Sequence, residues 1–196
     1  MPSDTDDSVV LGFDTSGGWI AAALIRGDVT LAQSLAPMQK GQAEALMPVL
    51  EALLSRADMN WADLAAIGVG TGPGNFTGIR ISVAAARGLS LGLAIPAIGV
   101  SRFDAMALDG PPLPVVLPAL RGQFWVQAPG AVPVVAETAP AMGIGDGLTA
   151  PAHPLAVGIA CIAAARRTTP QPRPAPLYLR DADAAPPSEA PPALID

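Results

Sequence analysis

The sequence predicts an α/β protein, and two patterns along the chain support that prediction. The chain begins with three short apolar runs, which are typical of neighbouring strands. The segments after them alternate between a helical spacing of apolar residues and short apolar runs, which indicates helices alternating with strands. A hydrophobic content of 51% in 196 residues is enough to form the core of such a domain.

The order of these signals narrows the fold class. The apolar runs predict a strand and then a hairpin, at residues 9–13, 19–25 and 29–35. The following signals predict a helix over 42–57, a strand over 64–69, a helix over 77–93 and a strand over 97–100. Pro48 is expected to bend the first helix or loosen its first turns. The order β-β-β-α-β-α-β is that of the ribonuclease-H-like lobe on which actin-like ATPases (the ASKHA superfamily) are built.

The signals become weaker after residue 100 and predict a smaller, reduced second lobe. They are a short helix ending near 108, strand-like runs at 115–117, 123–127 and 132–135, and a helix over 156–167. A final segment rich in Ala, Pro and acidic residues is expected to be disordered. The predicted domains are an N-terminal lobe over 8–108, a second lobe over 109–181 and a tail over 182–196.

Charge and cysteine content exclude several classes of protein. A net charge of -6 argues against direct binding of nucleic acid, because phosphate neutralisation needs clustered positive charge. A single cysteine, Cys161, excludes an internal disulfide and a multi-cysteine zinc site. The acidic N-terminus does not resemble a signal peptide, and Arg87 and Pro96 interrupt the most apolar stretch. We therefore expect a cytoplasmic protein without a membrane span.

The first candidate site is Asp14-Thr15-Ser16, which closes the first predicted strand. Backbone amides and hydroxyls in such a turn can hold a phosphate or a metal-bound water. The same residue types, followed by two glycines, are also common in ordinary hairpin turns. The tripeptide alone favours the hairpin interpretation.

The second candidate site is the glycine-rich segment over 70–80, Gly-Thr-Gly-Pro-Gly-Asn-Phe-Thr-Gly-Ile-Arg, between a predicted strand and a predicted helix. Its glycines let the backbone approach a ligand, and the helix N-terminus offers free N–H groups to an anion. The segment is neither a P-loop nor a dinucleotide fingerprint. Gly72, Gly74 and Thr77 join the tripeptide as candidate phosphate-binding residues, and a purely structural tight turn is the alternative.

The sequence offers few catalytic or metal-ligating residues. His153 is the only histidine, and its place between Ala152 and Pro154 is typical of a surface loop. Cys161 lies in an apolar helical context that favours a packing role. We therefore predict no catalytic residue and no metal ligand in this chain.

The two N-terminal helices carry more apolar residues than one sheet can cover. The helix over 77–93 is apolar almost all the way round, which is typical of a helix buried on both sides. An apolar face shared by both helices could bind another chain, or the second lobe could cover it. The candidate interface residues are Ala43, Leu46, Met47, Leu50, Arg80, Val83, Ala84 and Arg87.

These motifs together resemble those of the TsaB (YeaZ) family. The resemblance covers residues 9–108 and includes Leu-Gly-Phe-Asp-Thr-Ser over 11–16, the segment over 70–80 and Ile-Gly-Val-Ser over 98–101. Beyond them, Gly-Asp-Gly over 145–147 and Leu-Tyr-Leu-Arg over 177–180 match short family segments. Two departures are Gln42 in place of a common histidine and Pro118-Ala119-Leu120 in place of an Asp-Ala-Arg triplet.

The resemblance implies a non-catalytic subunit that binds and stabilises the enzyme TsaD and helps recruit the ATPase TsaE. That complex forms the N6-threonylcarbamoyl group on adenosine 37 of tRNAs reading codons that start with A, so tRNA is reached only through the complex. A homodimer is the expected alternative pairing in isolation. No cofactor is expected to be required, although weak ATP or ADP binding is compatible with the fold. The competing hypothesis is a small ATP-dependent kinase or nucleotide hydrolase of the actin-like superfamily, with Asp14 and residues 72–77 holding phosphate and metal.

Overall fold

The structure is a computed structural model that describes residues 7–179 of the chain. The predicted tail over 182–196 lies outside the described residues. In chain order the elements are β1 (Val9–Asp14), β2 (Trp19–Arg26), β3 (Val29–Pro37), α1 (Gln42–Arg56), β4 (Leu64–Gly70), α2 (Phe76–Leu93), β5 (Ala97–Val100), α3 (Arg102–Ala107), β6 (Val115–Pro118), β7 (Phe124–Gln127), β8 (Val134–Ala136) and α4 (Leu155–Arg166). The strands and helices predicted from apolar spacing are thereby confirmed to within a few residues.

The larger sheet has five strands in the order β3-β2-β1-β4-β5. β1, β2 and β3 pair antiparallel, whereas β4 pairs parallel to both β1 and β5. This mixed order, a three-stranded meander continued by parallel strands, confirms the predicted ribonuclease-H-like α/β lobe. The carboxyl ends of β1, β4 and β5 meet at one edge of the sheet, which is where open α/β sheets bind ligands. We call it the carboxyl edge.

Helices cover both faces of this sheet. α1 and α2 cover one face over a core that includes Phe13, Leu50 and Ile67. α4 covers the other face, where a Cβ on Gly12 would overlap the α4 backbone, so the glycine permits a close approach. The division of the chain at residue 108 stays a prediction, but α4, which that division assigned to the second lobe, packs against the first sheet. It packs there because the second face of the sheet is apolar, and α4 removes that apolar surface from water.

The smaller sheet contains β6, β7 and β8, paired antiparallel in that order. It has its own small apolar cluster, in which Phe103 of α3 packs with residues of β6 and β7. Pro118 ends β6, and Leu120 lies in the following turn with 61% of its surface exposed. Within residues 7–179, no helix has both the length and the apolarity that a membrane crossing would require.

Candidate functional site

The turn after β1 packs against the loop after β4, so the structure brings the predicted phosphate-binding residues together. Asp14, Thr15 and Ser16 are buried. Thr15 Oγ1 donates a hydrogen bond to the Gly78 carbonyl at 2.6 Å, and the Asn75 N–H donates to the Ser16 carbonyl at 2.7 Å. The Gly78 N–H donates in turn to Asn75 Oδ1 at 2.8 Å. Several polar groups that could face a phosphate are thus engaged by the protein's own chain.

The glycines of the loop are explained by this packing. Gly72 has a φ of 98°, in the left-handed region that favours glycine. A Cβ on Gly74 would overlap Ser16, so a larger residue would separate the loop from the turn. Thr77 is exposed in the first turn of α2, beside an open depression of about 480 Å³ that Lys40 also lines. Phosphate binding by these residues stays a prediction.

Arg102, which sequence analysis did not single out, lies at the same edge. Its side chain is 9% exposed, and its Nη1 donates to the Pro73 carbonyl at 3.0 Å. Its guanidinium carbon lies 5.4 Å from the centre of the Trp19 ring. Burial lowers the pKa of Arg102, and the negative charges of Asp14 and Asp146 oppose that shift. An arginine at the first position of a short helix is an ordinary surface pattern, so its sequence context gave no signal of burial.

Asp14 is held as an acceptor within the protein. Its Oδ1 accepts hydrogen bonds from the Ser16 N–H at 3.0 Å, from Ser16 Oγ at 2.8 Å and from Trp19 Nε1 at 3.3 Å. Its Oδ2 and Arg102 Nε are buried without a hydrogen-bond partner in the described part of the chain. No cluster of three or more potential metal-ligating side chains occurs in residues 7–179. The hydrogen bonds of Asp14 therefore suit a structural role, in which its carboxylate holds the turn after β1 in place.

The predicted interface residues divide into two groups. Leu46, Leu50 and Val83 are only 0–3% exposed, so they are core residues, which corrects their predicted place on a partner surface. Apolar spacing identified a stripe on each helix, but that stripe faces the sheet. The other five remain accessible: Ala43, Arg80, Ala84 and Arg87 are exposed and Met47 is half-buried.

Within this chain α2 is buried on one side only, and a cover for its other side by another chain stays a prediction. Its sheet-facing side is buried, while its opposite side is accessible to solvent. We call the accessible surface of the two helices the outer helix face; it consists of Ala43, Met47, Arg80, Ala84, Arg87, Gly88 and Leu91. Leu91, in the last turn of α2, is 86% exposed, which is a large exposure for a leucine.

Residues 174–179, which we call the strap, connect the carboxyl edge to the outer helix face. The Leu177 N–H donates to the Thr71 carbonyl at 2.8 Å, directly after β4. One residue later, the Tyr178 hydroxyl accepts a hydrogen bond from Arg80 Nε at 2.8 Å. The strap was predicted only as a short match to family sequences, and no local pattern indicated where it would lie.

A family model and several known protein sequences match this chain under names that refer to threonylcarbamoyl modification of tRNA. A family model described as "TsaD: tRNA N6-adenosine threonylcarbamoyltransferase" matches residues 36–160. The chain is 37% identical over 101 residues to the tRNA threonylcarbamoyladenosine biosynthesis protein TsaB of Bacillus subtilis, covering 52% of this chain and 44% of that protein. It is 35% identical over 99 residues to the protein of the same name in Escherichia coli, covering 50% and 42%. The matched segment thus spans less than half the length of these relatives.

Two further matches cover nearly all of this chain. An uncharacterized protein of Mycobacterium tuberculosis is 30% identical over 203 residues, covering 91% of this chain and 95% of that protein. Among solved structures, YeaZ from Pseudomonas aeruginosa superposes with a TM-score of 0.69 at 21% identity, covering 88% of this chain and 100% of that one. The structural match shows the same fold. Together with the family model and the sequence relatives, it shows that the chain belongs to the TsaB (YeaZ) family.

Proposed function

We propose that this chain is a non-catalytic subunit in the biosynthesis of tRNA threonylcarbamoyladenosine, and that it binds and stabilises TsaD through the outer helix face. The observation that supports the proposal is the composition of that face. Ala84 and Gly88 are small and permit a close approach of another helix, while Leu91 offers an exposed apolar contact. Exposed apolar residues beside arginines are typical of protein interfaces.

The names of the relatives support the pathway. Proteins named for tRNA threonylcarbamoyladenosine biosynthesis match about half of this chain. The family model matches residues 36–160, which contain α1, the glycine-rich loop and α2. In the proposed assembly TsaD carries out the transfer to adenosine 37, TsaE joins the complex, and tRNA contacts the partner. A net charge of -6 on this chain agrees with indirect contact to tRNA.

The titratable residues away from the outer helix face support a non-catalytic role. His153 Nε2 lies 2.9 Å from Asp109 Oδ2 in a surface pair. Burial raises the pKa of the Cys161 thiol, with a further contribution from Asp109 and Asp28, so the thiol stays protonated and weakly nucleophilic at neutral pH. Asp14 is engaged by Ser16 and Trp19. We therefore assign the transfer chemistry to the partner.

A small ATP-dependent kinase or nucleotide hydrolase is the second candidate, and the depression beside Thr77 favours it. That depression is lined by Lys40, the only lysine of the chain, and by Asn75 at the N-terminus of α2. These groups could hold a phosphate weakly. Isothermal titration with ATP or ADP, with and without Mg²⁺, tests binding. Turnover of ATP by the isolated chain would favour this candidate over the subunit.

Size-exclusion chromatography with light scattering tests the proposed subunit role. The chain is mixed with TsaD from the same organism, as wild type, as Ala84→Glu and as Ala52→Glu. Ala52 is also exposed, but helical spacing places it on the side of α1 away from α2, so it is the matched control. We expect a stable complex for wild type and control, and its loss for Ala84→Glu with an unchanged melting temperature. The proposal is contradicted if the wild-type chain forms no complex with TsaD.

A further inference from the structure

We propose that Tyr178 of the strap is a positioning residue of the partner-binding surface: it orients Arg80 to receive a carboxylate from the partner protein. The inference rests on the proposed function and adds the chemistry that the partner must supply. It also extends the surface beyond the two helices, to a residue 98 positions away in the sequence.

Contacts on two sides hold the Arg80 guanidinium in place. Its Nε donates to the Tyr178 hydroxyl at 2.8 Å, and its Cζ lies 3.8 Å from the centre of the Phe76 ring. The Phe76 and Tyr178 rings stack with centres 5.0 Å apart and remain 41% and 43% exposed. A long side chain that is already ordered loses less conformational entropy when it binds. The cluster therefore presents Arg80 in a prepared orientation at the start of α2.

No carboxylate satisfies this arginine within residues 7–179. The ion pairs in that part of the chain join Arg26 to Asp7 and His153 to Asp109. Arg80 and Arg87 are both exposed and lie seven residues apart on the same side of α2, about 10.5 Å along the helix axis. A guanidinium whose terminal nitrogens remain free fits a carboxylate by two parallel hydrogen bonds.

The surroundings favour a protein carboxylate over an RNA phosphate. The neighbouring helix α1 exposes Glu44 and Glu51, also seven residues apart, and a phosphate backbone laid across both helices would be repelled by them. Leu91 adds an exposed apolar side chain two turns of helix beyond Ala84. A protein surface with acidic and apolar residues complements this combination, whereas a polyanion does not.

Affinity measurements on the full chain test the inference. Binding to TsaD is measured by isothermal titration at two salt concentrations for wild type, Tyr178→Phe, Arg80→Gln and the double variant. Tyr178→Phe removes only the hydroxyl and keeps the ring stack. Arg56→Gln is the control, because Arg56 is an exposed helical arginine that binds the Gln33 carbonyl on the far side of α1.

We expect Arg80→Gln to weaken binding about 30-fold and Tyr178→Phe about fivefold, with the control unchanged. The double variant should be no weaker than Arg80→Gln, since the hydroxyl acts through the arginine. Binding by Arg80→Gln should also depend less on salt than binding by wild type. All variants should keep the wild-type melting temperature.

Four results would overturn the inference. The first is unchanged affinity of Tyr178→Phe and Arg80→Gln while Ala84→Glu still abolishes the complex, which would leave the proposed function standing. The second is a double variant whose loss equals the product of the single losses. The third is a loss of tRNA binding by the complex with unchanged TsaD affinity, which would assign Arg80 to phosphate. The fourth is a change confined to self-association of this chain, which would assign Arg80 to a second copy.

Discussion

Helices α2 and α4 have similar amino-acid compositions but different surroundings. Both are rich in Ala, Gly and aliphatic residues, and the sequence predicted that α2 would be the helix buried on both sides. In the structure that helix is α4, which lies between the five-stranded sheet and α3. The informative difference is charge: α4 has one charged residue, Arg166 in its last turn, whereas α2 carries Arg80 and Arg87 on its outer side. Charge position distinguishes the two helices better than apolar content does.

The strongest test of this comparison places a charge on each side of α2. Val83 is 3% exposed and Ala84 is exposed, although they are neighbours. We expect Val83→Glu to destabilise the fold by more than about 4 kcal/mol, because an unpaired carboxylate would enter the core. Ala84→Glu should leave stability nearly unchanged. Circular dichroism melts of the two variants measure the difference. Equal melting temperatures would show that Val83 is not on a buried side of α2 and Ala84 on an exposed one.

A second, smaller effect tests the opposite face of the sheet. A Cβ on Gly12 would overlap Ala156 and Ala160 of α4, so Gly12→Val should separate the helix from β1. We expect a loss of about 3 kcal/mol from this overpacking, with Gly12→Ala losing less. A chemical denaturation curve gives the free energy of unfolding directly. A Gly12→Val protein as stable as wild type would mean that α4 does not pack against this strand so closely.

Local sequence patterns predicted most of the first lobe but little of how it is assembled. Apolar spacing located α1, α2 and the strands because periodicity is a property of neighbouring residues. The same spacing placed Leu50 and Val83 on a partner surface, since a stripe does not state which layer it faces. The place of α4 depends on glycines far away in the chain, such as Gly12, and no window of sequence contains both.

In the candidate site, too, local patterns predicted some features, whereas others depend on contacts between distant residues. The turn at Asp14 and the glycine-rich loop were identified from residue types, and the structure brings them together. Arg102 contacts Pro73 and Trp19, which are 29 or more positions away in the sequence, so its neighbours are set by the fold. The contact between Arg80 and Tyr178 joins residues 98 positions apart. Long-range contacts of this kind leave no periodic signal, so they could be found only in the folded chain.

The smallest expected effect gives the sharpest contrast, because the same substitution should change sign between the two helices. Nothing lies within 4 Å of a Cβ built on Gly88 of α2, so Gly88→Ala should stabilise the isolated chain by about 0.5–1 kcal/mol through helix propensity. A Cβ on Gly158 of α4 would overlap the Ala105 backbone of α3, so Gly158→Ala should destabilise it. Thermal melts of both variants, compared with wild type, measure the two signs. If Gly88→Ala also destabilised the isolated chain, the outer side of α2 would have to be covered within the monomer, and the outer helix face would not be available to a partner.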